Sequence, residues 1–275
     1  MKPDPRFAAQ PLEFWAHVKS ISQQLGYTDK ATKQIKVHSI PNMVSALQKL
    51  GLQTQHLTDT ALGAELEAYF LHRAIVLNEQ VQHDLMNKIQ AEAVFLELRE
   101  RLKPTRALPM NKQKGDKQNH AFLTGIVNML LESALSGRSI DYDPKSLVTI
   151  TRNGMPYRTL SRRFDGCFPS TVNPRAVWEI KEYYYTTTFG SRVADGVYET
   201  LLDGLELQEL WGSAGVHVEH YLFIDDHFTW WQCGKSYLCR IVDMMHMGLL
   251  NEAIFGREAV TRVPAIAQGW LEGAK

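Results

Sequence analysis

Between residues 118 and 256 the apolar residues switch repeatedly between helical and strand spacing, and that alternation limits the architectures open to the chain. "NHAFLTGIVNMLLESALSG" reads as a helix with Phe122, Ile126, Met129 and Leu130 inward and Gly137 ending it. "SLVTITRNGMPYRTLSRRFDGCF" reads as a β-hairpin: Val148 and Ile150 alternate with polar neighbours, and Asn153-Gly154 is a strong turn signal. "AVWEIKEYYY" is a strand. "SRVADGVYETLLDGLEL" sets Val193, Val197, Leu201 and Leu205 four apart, an amphipathic helix with Ser191 as its cap. "EHYLFIDD" is a further strand and "SYLCRIVDMMHMGLLNEAIFG" a buried helix. Helix, hairpin, strand, helix, strand, helix predicts an α/β layer fold with a mixed β-sheet flanked by helices.

The first third reads as helical. "LEFWAHVKSISQQLGY" places Leu12, Trp15, Val18, Ile21 and Leu25 on one face, and "SIPNMVSALQKLGL" has Ser39 to cap and Pro41 for the first turn. The two helices, divided by a stretch with Lys30, Lys33 and Lys36, are either a helix-turn-helix-like DNA reader or a plain helical subdomain. A long helix is predicted from about Asp59 to Leu102. The expected division is thus a helical region over 1–102 and an α/β core over 103–275. The boundary falls within "LRERLKPTRALPMNKQKGDK", whose stretch carries seven basic residues against two acidic, a local balance of +5. Its prolines and glycine mark a connector that also suits phosphate contact.

Net charge is zero, so binding to nucleic acid rests on such local patches. Three cysteines without a CxxC pair argue for a reducing, cytoplasmic setting, against a disulfide framework and against structural zinc. No apolar run is long enough to cross a bilayer, and "MKPDPRFAAQ" has no signal-peptide core.

Chemistry concentrates in the "EIK" of the central strand. Residues two apart on a strand share a face, so Glu179 and Lys181 stand side by side. The hairpin's second strand is expected to run to Asp165 and to pair with the strand of Glu179, bringing the carboxylates together. Such a pair attracts a hard divalent ion such as Mg²⁺. A neighbouring lysine helps deprotonate metal-bound water and offsets developing negative charge. Arg152, Arg158, Arg162 and Arg163 crowd the same hairpin, where a phosphate backbone would run. Downstream, Tyr183, Tyr184, Tyr185, Thr186, Thr187 and Thr188 are read either as groove-lining groups or as plain strand residues. Ser191 and Arg192 stand at a helix N-terminus that favours anions. His217, His220, Asp225, Asp226 and His227 make a competing cluster, but two histidines three apart on a strand face opposite ways.

An aspartate (Asp165-Gly166), about a dozen residues, then Glu179-Ile180-Lys181 resembles the PD-(D/E)xK nuclease superfamily, which includes most type II restriction endonucleases. The resemblance covers roughly residues 118–256, and Phe164 stands where the eponymous proline would be. It implies a restriction-endonuclease-like core and a Mg²⁺-dependent endodeoxyribonuclease acting on double-stranded DNA. Asp165, Glu179 and Lys181 would be catalytic, with Asp165, Glu179 and a helix acid, Glu132, at the metal. Arg158, Arg162, Arg163, Ser191 and Arg192 would contact DNA. A homodimer is expected, since cutting both strands of a symmetric site needs two active sites. Trp15, Phe70 and Leu71 offer it an apolar surface unless the helical region docks on the core with them. The rivals are a non-catalytic DNA-binding or regulatory protein on a nuclease-like scaffold, and a repair or phage-defence nuclease without strict specificity.

Overall fold

The computed structural model describes residues 1–111, 119–185 and 190–272, without the side chain of Ser191. The N-terminal region is helical: α1 (Pro5–Ala8), α2 (Leu12–Leu25), α3 (Ile40–Gln48), α4 (His56–Asp59) and α5 (Leu62–Ile75). Beyond a π-helical turn over Val76–Val81 come α6 (Gln82–Asp84) and α7 (Lys88–Leu102). The layered part then runs α8 (Phe122–Ala134), β1 (Asp141–Tyr142), β2 (Thr149–Arg152), β3 (Met155–Thr159), β4 (Gly166–Phe168) and β5 (Ala176–Glu182). It continues through α9 (Ser191–Ala214), β6 (Glu219–Asp225), α10 (Lys235–His246), β7 (Glu252–Phe255) and α11 (Ala259–Glu272).

A five-stranded sheet in the order β1-β4-β5-β6-β7 forms the middle layer. β1 and β5 lie antiparallel to β4, whereas β5, β6 and β7 are parallel, so the expected mixed sheet is present. β5 is its central strand, and the first five of its seven residues are buried because both faces are covered. Trp178 and Ile180 pack with α8 and α11, and Val177 packs with Leu207 and Leu210 of α9.

The hairpin forms as a separate two-stranded sheet, β2-β3, and its turn residues Asn153 and Gly154 both take positive φ, 53° and 78°. Its second strand stops at Thr159, so Asp165 does not lie on it. Ser161 and Arg162 turn aside to bond acidic side chains on α9, and the chain re-enters as a new strand at Gly166. Gly166 fits there because its missing side chain leaves room for Trp178: a Cβ would stand 2.0 Å from that indole.

The long helix expected over 59–102 is broken. Leu85 is extended (ψ 128°), and Asn87 opens α7 with a capping box to Gln90. The sheet captures the chain at the break: Asp225 Oδ1 accepts from Met86 N at 2.7 Å, and Met86 O accepts from His227 N at 2.9 Å. Helix α7 then packs on α8 through Ala91, Phe95 and Leu98. Nor are α2 and α3 joined by a tight turn. Residues 26–39 separate them, closed by a Thr28–Ile35 bridge, and Lys36 Nζ donates to Leu25 O. That connection is too long for a helix-turn-helix. Trp15 and Phe70 are spent in the core of the N-terminal region, leaving only Leu71 of the expected dimer surface exposed. Two cap assignments also change: Ser39 makes no side-chain cap bond, and Gly190 rather than Ser191 occupies the N-cap of α9.

A buried ion pair joins the N-terminal helices to the sheet layer. Arg73 on α5 sets Nη1 3.0 Å from both oxygens of Asp243 on α10, Tyr69 donates to Asp243, and Arg73 Nη2 reaches Ser22 Oγ at 3.2 Å. Asp243→Ala is expected to cost about 3–5 kcal/mol in urea unfolding, because a buried guanidinium loses its counter-charge. Replacing both partners by apolar residues, Arg73→Met with Asp243→Leu, should recover most of that loss.

Candidate functional site

The antiparallel register of β4 and β5 pairs Gly166 with Trp178, which sets Asp165 level with Glu179. Asp165 N donates to Trp178 O at 3.0 Å, and its Oδ2 accepts from Ile180 N at 2.8 Å, so the side chain extends the ladder past the strand's end. Glu179 and Lys181 point together to the α9 side of β5, as their spacing predicts. Lys181 Nζ lies 2.8 Å from Glu179 Oε2.

That face carries more charge than the motif alone. Arg162 Nη1 stands 2.9 Å from Glu179 Oε1 and 2.7 Å from Asp203 Oδ2, while its Nη2 is 3.0 Å from Glu199 Oε2. Lys181 Nζ also meets Glu199 Oε2 at 3.0 Å. Glu179, Asp203 and Glu199 therefore share two cations across the β5–α9 seam. Glu179 and Asp203 are fully buried, Glu199 reaches solvent, and Asp203 Oδ1 has no hydrogen-bond partner. Burial drives Asp203 up to about 7 against the opposing pull of Arg162. Burial disfavours the charge on Lys181, but Glu179, then Asp165 and Glu199, outweigh it and hold the ammonium above the ordinary lysine range. Lys181 is thus fitted to offset negative charge and ill fitted to take a proton from water. Asp203 and Glu199 went unread in the sequence because an isolated acid on a helix carries no local signal. Their spacing of four, on the helix that follows the strand, is the clue that was available.

Beside this network lies a cavity of about 440 Å³ lined by Asp143, Ser161, Arg162, Arg163 and Asp165 among others. Arg163 is exposed there and makes no ion pair among the described residues. On the opposite side of β5 a second cavity, about 350 Å³, is lined by Asn128, Asp143, Asp165 and Glu182. Glu182 accepts from the N-terminus of α8, with Leu123 N at 2.6 Å, and burial pushes it up to about 7.

The remaining expectations fare unevenly. Arg158 is committed to α9, 2.7 Å from Glu209 Oε2 and 3.4 Å from Glu206 Oε1, so it faces no open phosphate site. Glu132 accepts from Thr105 N at 3.1 Å and lines a third cavity with Tyr142 and Asp143, apart from Glu179 and Lys181. It sits on the far part of α8, and the connector claims it first. Arg192 is exposed in the first turn of α9, where its carbonyl accepts from Tyr183 Oη at 3.2 Å. Tyr184 turns inward to Asp225 and Tyr185 Oη bonds His120 O at 2.9 Å, so these tyrosines brace the fold; Thr186, Thr187 and Thr188 lie outside the described residues. His220 is buried on β6, whereas His217 is exposed and lies before the strand begins at Glu219, so strand alternation does not govern the pair; Asp225 and Asp226 accept from backbone N–H groups.

Oxygens on adjacent strands suit a hard divalent cation in kind. As the side chains stand, however, both Glu179 oxygens are held by cationic nitrogens, and among the described residues no three His, Cys, Asp or Glu side chains converge as a metal-binding group. No helix of the described residues is long and apolar enough to cross a membrane.

Fold and site define an α/β protein with a mixed sheet and a buried acid–base network at the edge of an arginine-lined cavity. Residues 86–270 match the family model described as Domain of unknown function (DUF7687), and residues 1–80 match Domain of unknown function (DUF7690). The first match takes in more than half of the chain, which therefore belongs to the DUF7687 family. No curated protein and no solved structure matches it. The interval between the two matches, residues 81–85, coincides with the end of the π-helical turn and the break before α7.

Glu182 gives the site a pH signature. Its folded pKa of about 7 exceeds the ordinary 4.5, so its protonated form contributes stability that is full below about 4.5 and lost as pH rises through about 7. Glu182→Gln should remove that loss. Urea unfolding across this window should show the variant gaining on the wild type as pH rises, by on the order of 3 kcal/mol.

Proposed function

We propose that the chain is a Mg²⁺-dependent endodeoxyribonuclease that hydrolyses phosphodiester bonds of double-stranded DNA, with the restriction-endonuclease-like core and sequence specificity of the type II class. The observation that carries this reading is the β4–β5 register. It sets Asp165 level with Glu179, with Lys181 on the same face, beside a cavity edged by Arg162 and Arg163. Asp165 and Glu179 would hold the ion, which when bound supplies an activated water and positive charge at the scissile phosphate. Lys181, kept cationic by its carboxylate neighbours, offsets charge that builds on the phosphate oxygens. Arg163 is an exposed cation at the cavity, placed to meet the DNA backbone, and Arg192, exposed at the start of α9, would share that role. Cutting both strands of a symmetric site requires two copies. Tyr198, Leu202 and Leu205, exposed on one face of α9, offer a surface for them.

One observation favours the second reading, a DNA-binding or regulatory protein on the same scaffold: both Glu179 oxygens are already neutralised by Arg162 and Lys181.

Incubation with plasmid DNA separates the two. Under the nuclease reading Mg²⁺ or Mn²⁺ supports cutting to 5′-phosphate and 3′-hydroxyl ends, EDTA abolishes it, and Ca²⁺ supports binding alone. Asp165→Ala, Glu179→Ala and Lys181→Ala should each lower the rate by roughly two to three orders of magnitude while DNA is still bound. Binding without cutting under every metal condition would leave the scaffold reading. Arg163→Ala should reduce the salt dependence of DNA binding by about one unit of slope.

A further inference from the structure

Arg162 stands where its charge does two jobs badly. Its guanidinium meets three carboxylates, yet it satisfies only one oxygen of Asp203, leaving Oδ1 buried and unpartnered inside the fold. A planar fork suits a carboxylate or phosphate approached edge-on, whereas a small ion surrounded by oxygens suits a cluster of buried carboxylates. Arg162 also has a way out: its side chain is partly exposed and lines the arginine-edged cavity beside Ser161 and Arg163.

We propose that Arg162 holds the place of a divalent cation between Glu179 and Asp203, and that a phosphate entering the cavity draws the guanidinium away and admits the ion. Asp203, on α9, then joins Asp165 and Glu179 as a metal ligand. The exchange rests on the nuclease reading for the identity of the phosphate, a DNA backbone group. Charge balance favours it. With Arg162 in place, Glu179, Asp203 and Glu199 face two monovalent cations. With Arg162 withdrawn onto phosphate they face Lys181 alone, so negative charge grows where a divalent ion would enter. Arginine is the residue for this role because its fork binds phosphate bidentately and cannot lose its proton.

Direct measurement of Mn²⁺ binding by electron paramagnetic resonance, with Mg²⁺ as competitor and no DNA present, tests the exchange apart from catalysis. Arg162→Gln, with no resident charge, should bind Mn²⁺ about tenfold or more tightly than the wild type, and adding Asp203→Asn should abolish the gain. An affinity equal to the wild type's in Arg162→Gln, or a gain that survives Asp203→Asn, overturns the proposal. Should Arg162→Gln fail to fold, as judged by circular dichroism, the wild type supplies the test. Its Mn²⁺ affinity should rise on addition of a short DNA duplex and its duplex affinity rise by the same factor with Mn²⁺, both effects vanishing in Asp203→Asn. Independence of the two ligands in the wild type overturns it equally. A tighter, Asp203-dependent Mn²⁺ site in a protein that never cuts DNA supports the exchange while removing the nuclease reading.

Discussion

A carboxylate on the central strand of a sheet covered on both faces has to be neutralised where it stands. Glu179 is such a group, and an isolated charge there would be too costly to keep. Lys181, two residues along, supplies one cation at no cost in topology. The second comes from Arg162, which lies after the hairpin and can reach Glu179 only if residues 160–165 fold down against α9. Much of the local architecture follows from that reach. The hairpin is drawn off the main sheet, Asp165 is delivered to the start of β4, and α9 is held to β5 by Asp203 and Glu199 sharing the same cations. The cavity edged by Arg162 and Arg163 is the space left beside this fold-back.

The same rule fixes the rest of the molecule at its seams. Asp225, at the end of β6, accepts from Met86 N, Asp226 N and Tyr184 Oη, and burial drives its pKa up to about 8. By catching the backbone at Met86 it interrupts what would otherwise be one helical run and turns α7 onto α8. Asp243 does the corresponding work for the N-terminal helices through Arg73. In each case a buried acid is satisfied by a partner distant in sequence. Polar pairing of this kind positions elements that apolar contacts alone would leave free to slide.

What the sequence determined by itself was the local character of the segments and the grouping of residues that share a strand. Periodicity identified α8, β5, α9, β6 and α10, although the helix expected over 236–256 takes in β7, a strand; the Asn153-Gly154 turn followed from its need for positive φ, and alternation put Glu179 beside Lys181. These are short-range consequences of side-chain spacing. What only the tertiary structure decided was which of these charges find one another. Helical periodicity spans residues 59–102; Asn87 and Gln90 give a local sign of the break, and the hydrogen bond from Met86 to Asp225, 139 positions away, fixes it. Asp165 reached its place opposite Glu179 by a new strand, since the hairpin it was assigned to is anchored elsewhere. Arg158 and Arg162 read as surface cations in a row of arginines, but α9 presents Glu206, Glu209, Glu199 and Asp203 to them across the fold. A charge carries no local sign of its partner. Packing brings the pair together, and the cost of burying either one alone keeps it there.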